Sequence, residues 1–522
     1  MNKPLTALKN KFTNRISLIT LVTALGVGSA PAQTPGLPAL GDGESISLSA
    51  ERQLGDRIAR ELYRDPDYLE DPVLDDYIQQ LWAPLVKAAA VRGELSPELQ
   101  ERFAWRILLG RDRSVNAFAL PGGYLGVHLG LIAVVSSHDE LASVLAHELS
   151  HVTQRHIARS MSDQAKMTPW VIGSLILGAL AASKSAQGAQ ALIVGGQAAA
   201  AQSQLSYSRD MEREADRVGY GILVDAGYDP RGFVGMFAKL QQASGLNDSG
   251  AFPYLRSHPL TTERLADMQA RQQLNTPTAS APNDTAQAML SARARVLSQN
   301  NPDALRVWTQ NAQGPFTRTL DAQRAGALYA ATLAHLQMRN LAEAERTLAS
   351  LTQQINAAPQ SAKPAMAAQR WLRLLRAEVA FRQNRFVEVL PIVNPEPEPV
   401  TLARPELLAV AQALVRLPQH PWQQEVIRQL RVLVQQTPHD AQAWQILGSL
   451  LALQGQNLAS LRAEGEAQIA RLDWSGAIDR LRAAQDLAKK TTLQAGENIE
   501  ASIVDARLRH AQDRWRDQLL QR

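Results

Sequence analysis

The chain has 522 residues, of which 45% are hydrophobic, so it is too long for one compact core and long enough for roughly two to four. It contains no cysteine, which excludes disulfide bonds and thiolate metal sites and leaves His, Asp and Glu as candidate metal ligands. The formal net charge of +4 matches the four basic residues among residues 1–32, so the remaining chain is neutral and binding to nucleic acid is not expected.

Residues 1–32 have the features of a secretory signal peptide. A basic start is followed by an apolar run, residues 16–25, and by the small-residue sequence Ala-Pro-Ala at residues 30–32. An uncleaved membrane anchor is the alternative, but the apolar run is shorter than the ~20 residues that span a bilayer. Together with the lack of cysteine, this predicts export to a bacterial periplasm. Residues 33–47, rich in Pro and Gly, are expected to form a flexible lead-in.

Two helices and a small sheet are predicted next. Apolar residues recur at helical spacing in residues 49–65 and 72–89. The period then changes to that of strands in residues 105–109 and 114–120, and a Gly-Gly turn precedes a third strand. The sequence therefore predicts a small sheet ahead of the motif described next.

The motif HELSH, residues 147–151, lies in an apolar helical pattern that opens with a capping box at residues 137–140. Positions four apart lie on the same side of a helix, so the imidazoles of His147 and His151 can bind one metal ion. Glu148 points to the rim of that site, where its carboxylate can take a proton from a water molecule activated by zinc. The pattern is typical of zinc peptidases, although a motif this short also arises by chance.

A third protein ligand is needed, because a catalytic zinc is bound by three side chains and keeps one position for water. Glu212 and Asp216, in the sequence MEREAD, are spaced four apart on one helical face, whereas Glu214 faces away. Glu212 can therefore reach the metal, and Asp216 can hydrogen-bond the outer nitrogen of a ligand histidine. The alternative interpretation is a solvated acidic face.

Two further segments suggest how the chain is divided. Residues 169–201 are rich in Ala and Gly and too interrupted to span a bilayer; a flap or helix pair near the site, a hairpin in contact with the membrane, and ordinary buried helices all remain open. Residues 274–286 are polar and contain Pro, which is typical of a linker. We therefore predict one domain at residues 48–273 and a second at residues 287–522.

The second domain is predicted to be an α-solenoid of tetratricopeptide-like helical hairpins. Similar segments align on Leu341, Phe386 and Trp474, and residues 443–455 carry the W-x2-L-G pattern that opens such a hairpin. The spacing exceeds the usual repeat length, so the repeats are degenerate, and an irregular helical domain is the alternative. The predicted fold class is mainly α, with the small sheet confined to the first domain.

The order of three motifs resembles the gluzincin peptidase family that includes HtpX and the CAAX prenyl protease. The motifs are HELSH, then EREAD as an ExxxD motif, then SHPLTTER, residues 257–264, as an HPxxxxR motif. The sequence NAFALPGG, residues 116–123, also resembles that family. The resemblance covers about residues 48–273 and implies an α+β gluzincin fold there, while the export signal and the repeats are similar to those of a soluble periplasmic member.

The resemblance implies a role for each residue that matches these motifs. His147, His151 and Glu212 would bind one Zn²⁺ per chain. Glu148 would be the general base, and Asp216 would support a ligand from behind. These are the same residues to which the spacing of the motifs points.

The resemblance also assigns four residues outside the metal ligands. His258 would lie at the catalytic centre, where it either polarises the scissile carbonyl or plugs the metal in a closed state. Arg264 would pair with Asp216. Asn116 and Ala117 would belong to an edge strand that holds the substrate backbone through main-chain hydrogen bonds.

Three other histidines near the motif are assigned no chemistry. His128 and His138 flank the predicted site and are interpreted as structural or exposed. His156 follows His151 by five residues, which on a continuous helix turns it by about 140° and prevents it from sharing the ion.

The hypothesis that follows is a periplasmic zinc endopeptidase acting in the quality control and assembly of outer-membrane proteins, with repeats that dock substrates or partners. The partners implied by the resemblance are misfolded or assembling outer-membrane proteins, the barrel-assembly machinery and the lipopolysaccharide-inserting translocon. The alternative is a chaperone or binding module with a shut or vestigial metal site. The intact ligand set and Glu148 favour the peptidase.

Overall fold

The structure is a computed structural model, and its described residues are 46–163, 207–244, 252–273, 284–312, 321–357, 363–396, 400–492 and 495–520. The predicted signal peptide and the Ala- and Gly-rich segment 169–201 lie outside these residues. Most of the predicted lead-in and linker also lie outside them. The structure therefore bears on the two predicted domains but not on these segments.

The described residues are mainly helical, which confirms the predicted fold class. No helix within these ranges is both long enough and apolar enough to cross a bilayer. The helices of the predicted peptidase region include both predicted early helices and the helix of the HELSH motif. They are α1 (Leu48–Arg64), α2 (Pro72–Val91), α3 (Pro97–Arg102), α4 (Leu129–Val134), α5 (His138–Thr153), α6 (His156–Asp163), α7 (Arg209–Asp225), α8 (Arg231–Ser244), α9 (Tyr254–Ser257) and α10 (Thr262–Gln273).

The small sheet has four strands: β1 (Tyr68–Leu69), β2 (Arg106–Gly110), β3 (Ala117–Leu120) and β4 (Tyr124–His128). Their order is β1-β2-β4-β3, with β2 and β4 parallel and the other pairs antiparallel. Gly122 has a φ of 71°, which favours glycine in the predicted turn between β3 and β4. The short strand β1 was not predicted. Strand β3 lies at one edge of this sheet and packs against α5.

The remaining described residues form a succession of helices. Neighbouring helices along the chain pack against each other, as in helical hairpins. They are α11 (Thr285–Ser298), α12 (Pro302–Asn311), α13 (Asp321–Gln337), α14 (Leu341–Ala357), α15 (Lys363–Arg382), α16 (Phe386–Val393), α17 (Arg404–Val415), α18 (Gln423–Gln436), α19 (Ala441–Leu453), α20 (Asn457–Ala470), α21 (Trp474–Lys490) and α22 (Ala495–Leu520).

Four turns between these helices share one backbone feature. A residue with positive φ lies two positions before the helix that follows: Arg339 before α14, Asn384 before α16, Gly455 before α20 and Leu472 before α21. Three of these turns precede the positions on which the sequence segments align. This recurrence supports the alignment, and the assignment to tetratricopeptide repeats stays a prediction.

The two predicted domains share buried apolar surface. One hydrophobic cluster runs from Leu69 to Val379 and includes residues on both sides of the predicted linker. Another combines Leu54 and Ile58 of α1 with residues of α21 and α22. Apolar burial is the main stabilising term in folding, so this shared core holds the two regions together. The predicted domain boundaries stay a prediction.

Four arginines from the helical region surround the start of α2, and we call this set the arginine clamp. Each lies within ion-pair distance of an acidic residue of the segment 70–76, and each comes from a different part of the helical region. The pairs are Arg293 with Asp71 at 2.7 Å, Arg370 with Asp76 at 2.6 Å, Arg404 with Asp75 at 3.6 Å, and Arg471 with Glu70 at 2.7 Å.

Candidate metal centre

The two helices that carry the predicted metal ligands pack directly against each other. Helix α5 is capped by the Ser137 hydroxyl, which accepts a hydrogen bond from the Glu140 N–H at 3.2 Å, while the Glu140 carboxylate accepts one from the Ser136 N–H at 2.6 Å. Helix α7 can approach α5 because Gly219 has no side chain: a Cβ atom there would lie 3.0 Å from the Ala146 carbonyl oxygen. This approach brings the first turn of α7 to the HELSH motif.

Four buried side chains converge at this place, namely His147, His151, Glu212 and His258, and one ligand atom from each lies within 4.8 Å of the others. We call them the metal cluster. The Nε2 atom of His147 lies 3.0 Å from Nε2 of His151 and 3.6 Å from Glu212 Oε2. The Nε2 atom of His151 lies 3.4 Å from Glu212 Oε1. The structure thus brings the three candidate ligands together, with their Nε2 atoms and carboxylate facing one point.

Behind His147 lies a charged pair. Asp216 Oδ1 lies 3.0 Å from His147 Nδ1, on the side of the ring away from the cluster. Arg264 donates two hydrogen bonds to the carboxylate of Asp216, at 2.6 and 2.8 Å. Its Nη1 atom also lies 2.7 Å from Glu212 Oε2. The expected pairing of Arg264 with Asp216 is present, and the same guanidinium contacts a candidate ligand.

His156 lies behind the second histidine of the motif. Helix α5 ends at Thr153 and Arg155 has a φ of 53°, so the chain turns and α6 begins at His156. The expectation of one continuous helix was therefore wrong, and His156 Nδ1 lies 2.8 Å from His151 Nδ1. Its Nε2 lies 3.0 Å from Glu214 Oε2. Glu214 does face away from the cluster, but it faces His156.

His258 belongs to the cluster and is held from two sides. Its Nδ1 atom lies 2.9 Å from Glu212 Oε1, and its Nε2 atom lies 3.4 Å from Glu148 Oε1. The ring of Tyr254 stacks on it, with centroids 4.5 Å apart and an interplanar angle of 25°. The Tyr254 N–H donates a hydrogen bond to the Val115 carbonyl at 3.3 Å. His258 therefore lies at the predicted centre, as both interpretations of its role require.

Burial and close contacts shift the pKa values of the cluster in opposite directions. Burial lowers the pKa of His147, but hydrogen bonds to Asp216 and Glu212 outweigh burial and raise that pKa to about 10. Burial raises the pKa of Glu212, but the neighbouring His258, His147 and His151 outweigh it and hold that pKa well below its usual range. Burial lowers the pKa of His151 well below its usual value. A divalent cation binding among these groups would displace the proton of His147.

Several buried atoms of this site lack a hydrogen bond among the described residues. They include both carboxylate oxygens of Glu148 and Nε2 of His258. Buried polar atoms normally have a hydrogen-bond partner, because burying one without a partner destabilises a protein by about 1–3 kcal/mol. Two imidazoles and a carboxylate, in a chain without cysteine, are also the donor set that a catalytic zinc uses. The residues present therefore fit a bound divalent metal.

Asn116 and Ala117 lie at the start of the edge strand β3. Ala117 is opposite Val127 of β4, and the Asn116 carbonyl accepts a hydrogen bond from the His128 N–H at 3.0 Å. The Oδ1 atom of Asn116 is buried and has no hydrogen bond among the described residues. The strand lies beside the HELSH helix, and the hydrogen bond from Tyr254 to Val115 ties the segment of His258 to it.

The sequence interpretation missed Tyr207, Tyr254 and the contact of His156 with the cluster. The Tyr207 ring stacks on His151, with centroids 3.8 Å apart and an interplanar angle of 21°. Both tyrosines reach the cluster only through tertiary packing, so the sequence carried no signal for them. His156 could have been suspected, since it closely follows the motif. His128 and His138 lie outside the cluster, hydrogen-bonded to other side chains.

Comparisons with known proteins agree with this geometry. The family model described as Peptidase family M48 matches residues 75–272. The chain is 30% identical to the beta-barrel assembly-enhancing protease of Escherichia coli strain K12 over 511 residues, which cover 95% of this chain and 97% of that protein. It is 28% identical to the protein of the same name from Yersinia pestis, over 96% of this chain and 98% of that one. It is also 34% identical to the mitochondrial metalloendopeptidase OMA1 of Arabidopsis thaliana, over 37% of this chain and 36% of that protein.

Proposed function

We propose that this chain is a zinc-dependent endopeptidase of the periplasm. It belongs to peptidase family M48 together with the beta-barrel assembly-enhancing proteases, and it is a metalloendopeptidase. Its proposed role is the quality control and assembly of outer-membrane proteins. The observation that carries the proposal is the convergence of His147, His151 and Glu212, with Glu148 beside them. The names of the relatives support the substrate class.

His147, His151 and Glu212 would hold the zinc ion. Their facing Nε2 atoms and carboxylate oxygens lie 3.0–3.6 Å apart, and their burial keeps competing water away. When bound there, zinc polarises the scissile carbonyl and activates a water molecule. Asp216 Oδ1 lies 3.0 Å from His147 Nδ1, where it would hold the proton on Nδ1 and leave Nε2 free to bind the metal.

Glu148 is the proposed general base. It follows His147 directly, its side chain is fully buried, and its carboxylate has no hydrogen bond among the described residues that would compete for its lone pairs. It can therefore accept a proton from the attacking water and pass it to the leaving amine. An extended substrate strand is proposed to bind along β3, at Asn116 and Ala117, by adding to the sheet edge.

His258 is proposed to close the site in the state described. Its Nδ1 lies 2.9 Å from a candidate ligand oxygen and its ring fills the cluster, so substrate would have to displace it. Its segment is also hydrogen-bonded to Val115, next to the proposed substrate strand. Opening of the segment that carries Tyr254 and His258 would free both the metal and the strand edge.

The central test compares Glu148→Gln with wild type on casein and on an unfolded outer-membrane β-barrel protein. We expect cleavage to fall by about 10²–10⁴-fold, because general-base catalysis contributes that much. Zinc content should equal that of wild type, since Glu148 is not a ligand. Glu140→Gln is the matched control, because it changes a carboxylate on the same helix whose partners are Ser136 and Lys239.

The same experiment addresses the second candidate, a chaperone with a shut site. The position of His258 within the cluster favours it. One outcome would support the chaperone and not the peptidase. In that outcome wild type binds zinc and prevents aggregation of the β-barrel protein, but it cleaves that protein no faster than Glu148→Gln does. Relief of that block in His258→Ala would instead show a peptidase that is regulated by closure.

The proposed partners are misfolded or assembling outer-membrane proteins, the barrel-assembly machinery and the lipopolysaccharide translocon. The helical hairpins that follow residue 284 present the surfaces for such docking. The predicted signal peptide and the relatives' name support the periplasmic location.

A further inference from the structure

The two histidines of the HELSH motif are supported from behind in different ways. His147 is backed by the carboxylate of Asp216 at 3.0 Å. His151 is backed by another histidine, His156, at 2.8 Å, and that histidine is backed by Glu214 at 3.0 Å. Both supporting carboxylates come from α7, which also provides Glu212 to the cluster.

The hydrogen-bonding capacity of these groups fixes the direction of the second arrangement. His151 Nε2 faces Glu212 and His147, so it must carry a lone pair to bind a metal. Its Nδ1 then carries the proton and donates a hydrogen bond to His156 Nδ1. The proton of His156 must therefore be on Nε2, where it is donated to the Glu214 carboxylate, which can only accept when ionised.

Glu214 is itself fixed on its outer side. Arg159, on the same helix as His156, donates a hydrogen bond to Glu214 Oε2 at 2.7 Å. The guanidinium of Arg159 can only donate and the Glu214 carboxylate accepts from it, so the same oxygen is oriented to accept from His156 as well. The contacts thus run from the exposed Arg159 to the Glu214 carboxylate, then to His156 and finally to His151.

We propose that His156, oriented by Glu214, is a positioning residue that holds His151 in the tautomer and ring orientation required to bind the metal. The inference rests on the proposed metal centre. Residues that hydrogen-bond a ligand histidine from behind typically change metal affinity by about 10–100-fold when they are removed. In this chain two residues, His156 and Glu214, share the support of His151. The helix break at Arg155 places His156 between His151 and the carboxylate of Glu214.

A merely satisfied core histidine would look different. His128, which is also buried, hydrogen-bonds the Ser114 hydroxyl at 2.9 Å. A hydroxyl can rotate to donate or to accept, so this contact allows either tautomer of His128. His156 has no such freedom, since one partner is a ligand ring and the other is a carboxylate. This restriction is what a ligand-orienting residue needs.

The test measures zinc affinity of the purified chain by competition with a chelator, and the visible spectrum after substitution with Co²⁺. His156→Phe, which removes the acceptor, should weaken zinc binding by about 10–100-fold and alter the Co²⁺ bands. His156→Asn should stay within a few-fold of wild type, because its Oδ1 replaces the acceptor Nδ1. Glu214→Gln, which changes a partly exposed side chain, should weaken binding by a smaller factor than His156→Phe.

His128→Asn is the matched control for loss of a buried histidine, and it should bind zinc as tightly as wild type. Wild-type zinc affinity in His156→Phe would overturn the proposal, and so would an equal loss in His128→Asn. If His156→Phe does not fold, wild-type affinity and an unchanged Co²⁺ spectrum in Glu214→Gln would overturn it. Failure of the metal centre itself is a separate result, because wild type would then bind no zinc.

Discussion

The metal cluster and the arginine clamp bury similar charges but neutralise them differently. In the clamp, Asp71 receives three hydrogen-bond contacts from Arg293 at 2.7–3.0 Å, and Glu70, Asp75 and Asp76 each lie within ion-pair distance of a different arginine. In the cluster, one guanidinium, that of Arg264, contacts both Asp216 and Glu212. Glu148 receives no hydrogen bond from the described residues.

This difference separates a structural charge network from a ligand site. A buried carboxylate without a partner is costly, so a fold that leaves one must have another partner available or a use for its lone pairs. In the clamp, each carboxylate lies within ion-pair distance of an arginine of the chain. In the cluster, carboxylate oxygens of Glu148 and Glu212 lack a hydrogen bond among the described residues, and a divalent cation is a partner of matching charge.

The largest effect is expected in the clamp, from Arg293→Met. This change removes the arginine from the buried carboxylate of Asp71 and from the partly buried carboxylate of Glu378, so the free energy of unfolding should fall by about 3–5 kcal/mol. Zinc affinity should not change, because Arg293 contacts no residue of the cluster. Urea denaturation and chelator competition measure the two quantities.

The control for this variant is Arg293→Met combined with Asp71→Asn. The amide oxygen can still cap α2 as Asp71 does through the Leu74 N–H at 2.9 Å, while the buried charge on α2 is removed. We expect partial recovery of stability. A single variant as stable as wild type would show that the clamp is not the structural network described.

The next effect is that of metal removal. Zinc at about a hundred times its dissociation constant should raise the free energy of unfolding by about 2.7 kcal/mol, and chelation should abolish this increment. The same increment is expected in Arg293→Met, because effects at sites that share no partner are additive. An increment lost in that variant would mean that the clamp and the cluster are coupled.

The sequence could predict the cluster's ligands because their spacing is local. His147 and His151 are four apart on one helix, and Glu212 and Asp216 are four apart on another, so helical geometry alone suggests which side chains face together. The nearness of His156 to the motif was visible in the sequence, but its contact with His151 depends on the helix break at Arg155, which the helical pattern did not indicate.

The clamp was even less accessible to sequence reasoning. Its arginines lie between residue 293 and residue 471, and each resembles an ordinary exposed charge of a helical repeat. Their convergence on α2 depends on how the helices that carry them pack in the fold, which no local pattern records. The fold class and the early helices were predictable, since hydrophobic periodicity determines them.

A smaller effect is expected where the two helices of the cluster meet. A methyl group in Gly219→Ala would press on the Ala146 carbonyl oxygen, so we expect a loss of stability of about 1–2 kcal/mol together with weaker zinc binding, since α7 carries Glu212. Gly221→Ala is the matched control on the same helix. The atoms nearest to an added methyl there belong to the guanidinium of Arg92, the end of a long flexible side chain, and alanine favours helix over glycine by about 1 kcal/mol. Equal effects of the two variants on zinc binding would contradict the role of close packing.

The smallest effect concerns an exposed contact between the two regions. His138, at the start of α5, lies 3.1 Å from Asp284, which caps α11, and 3.5 Å from Asp139. The hydrogen bond to Asp284 raises the pKa of His138 in the folded chain, despite the opposing effect of burial. Its stabilising contribution is therefore complete below the unfolded pKa of about 6.5 and is lost as the pH rises through the folded pKa.

The measurement is the urea midpoint of wild type between about pH 5.5 and pH 8.5, compared with that of His138→Gln. The glutamine can still hydrogen-bond Asp284 but cannot titrate, so the decline of wild-type stability above the unfolded pKa of His138 should be smaller in the variant. Both profiles should be measured with a chelator present, because zinc binding also depends on pH. Identical profiles would show that this contact does not couple the two regions through charge.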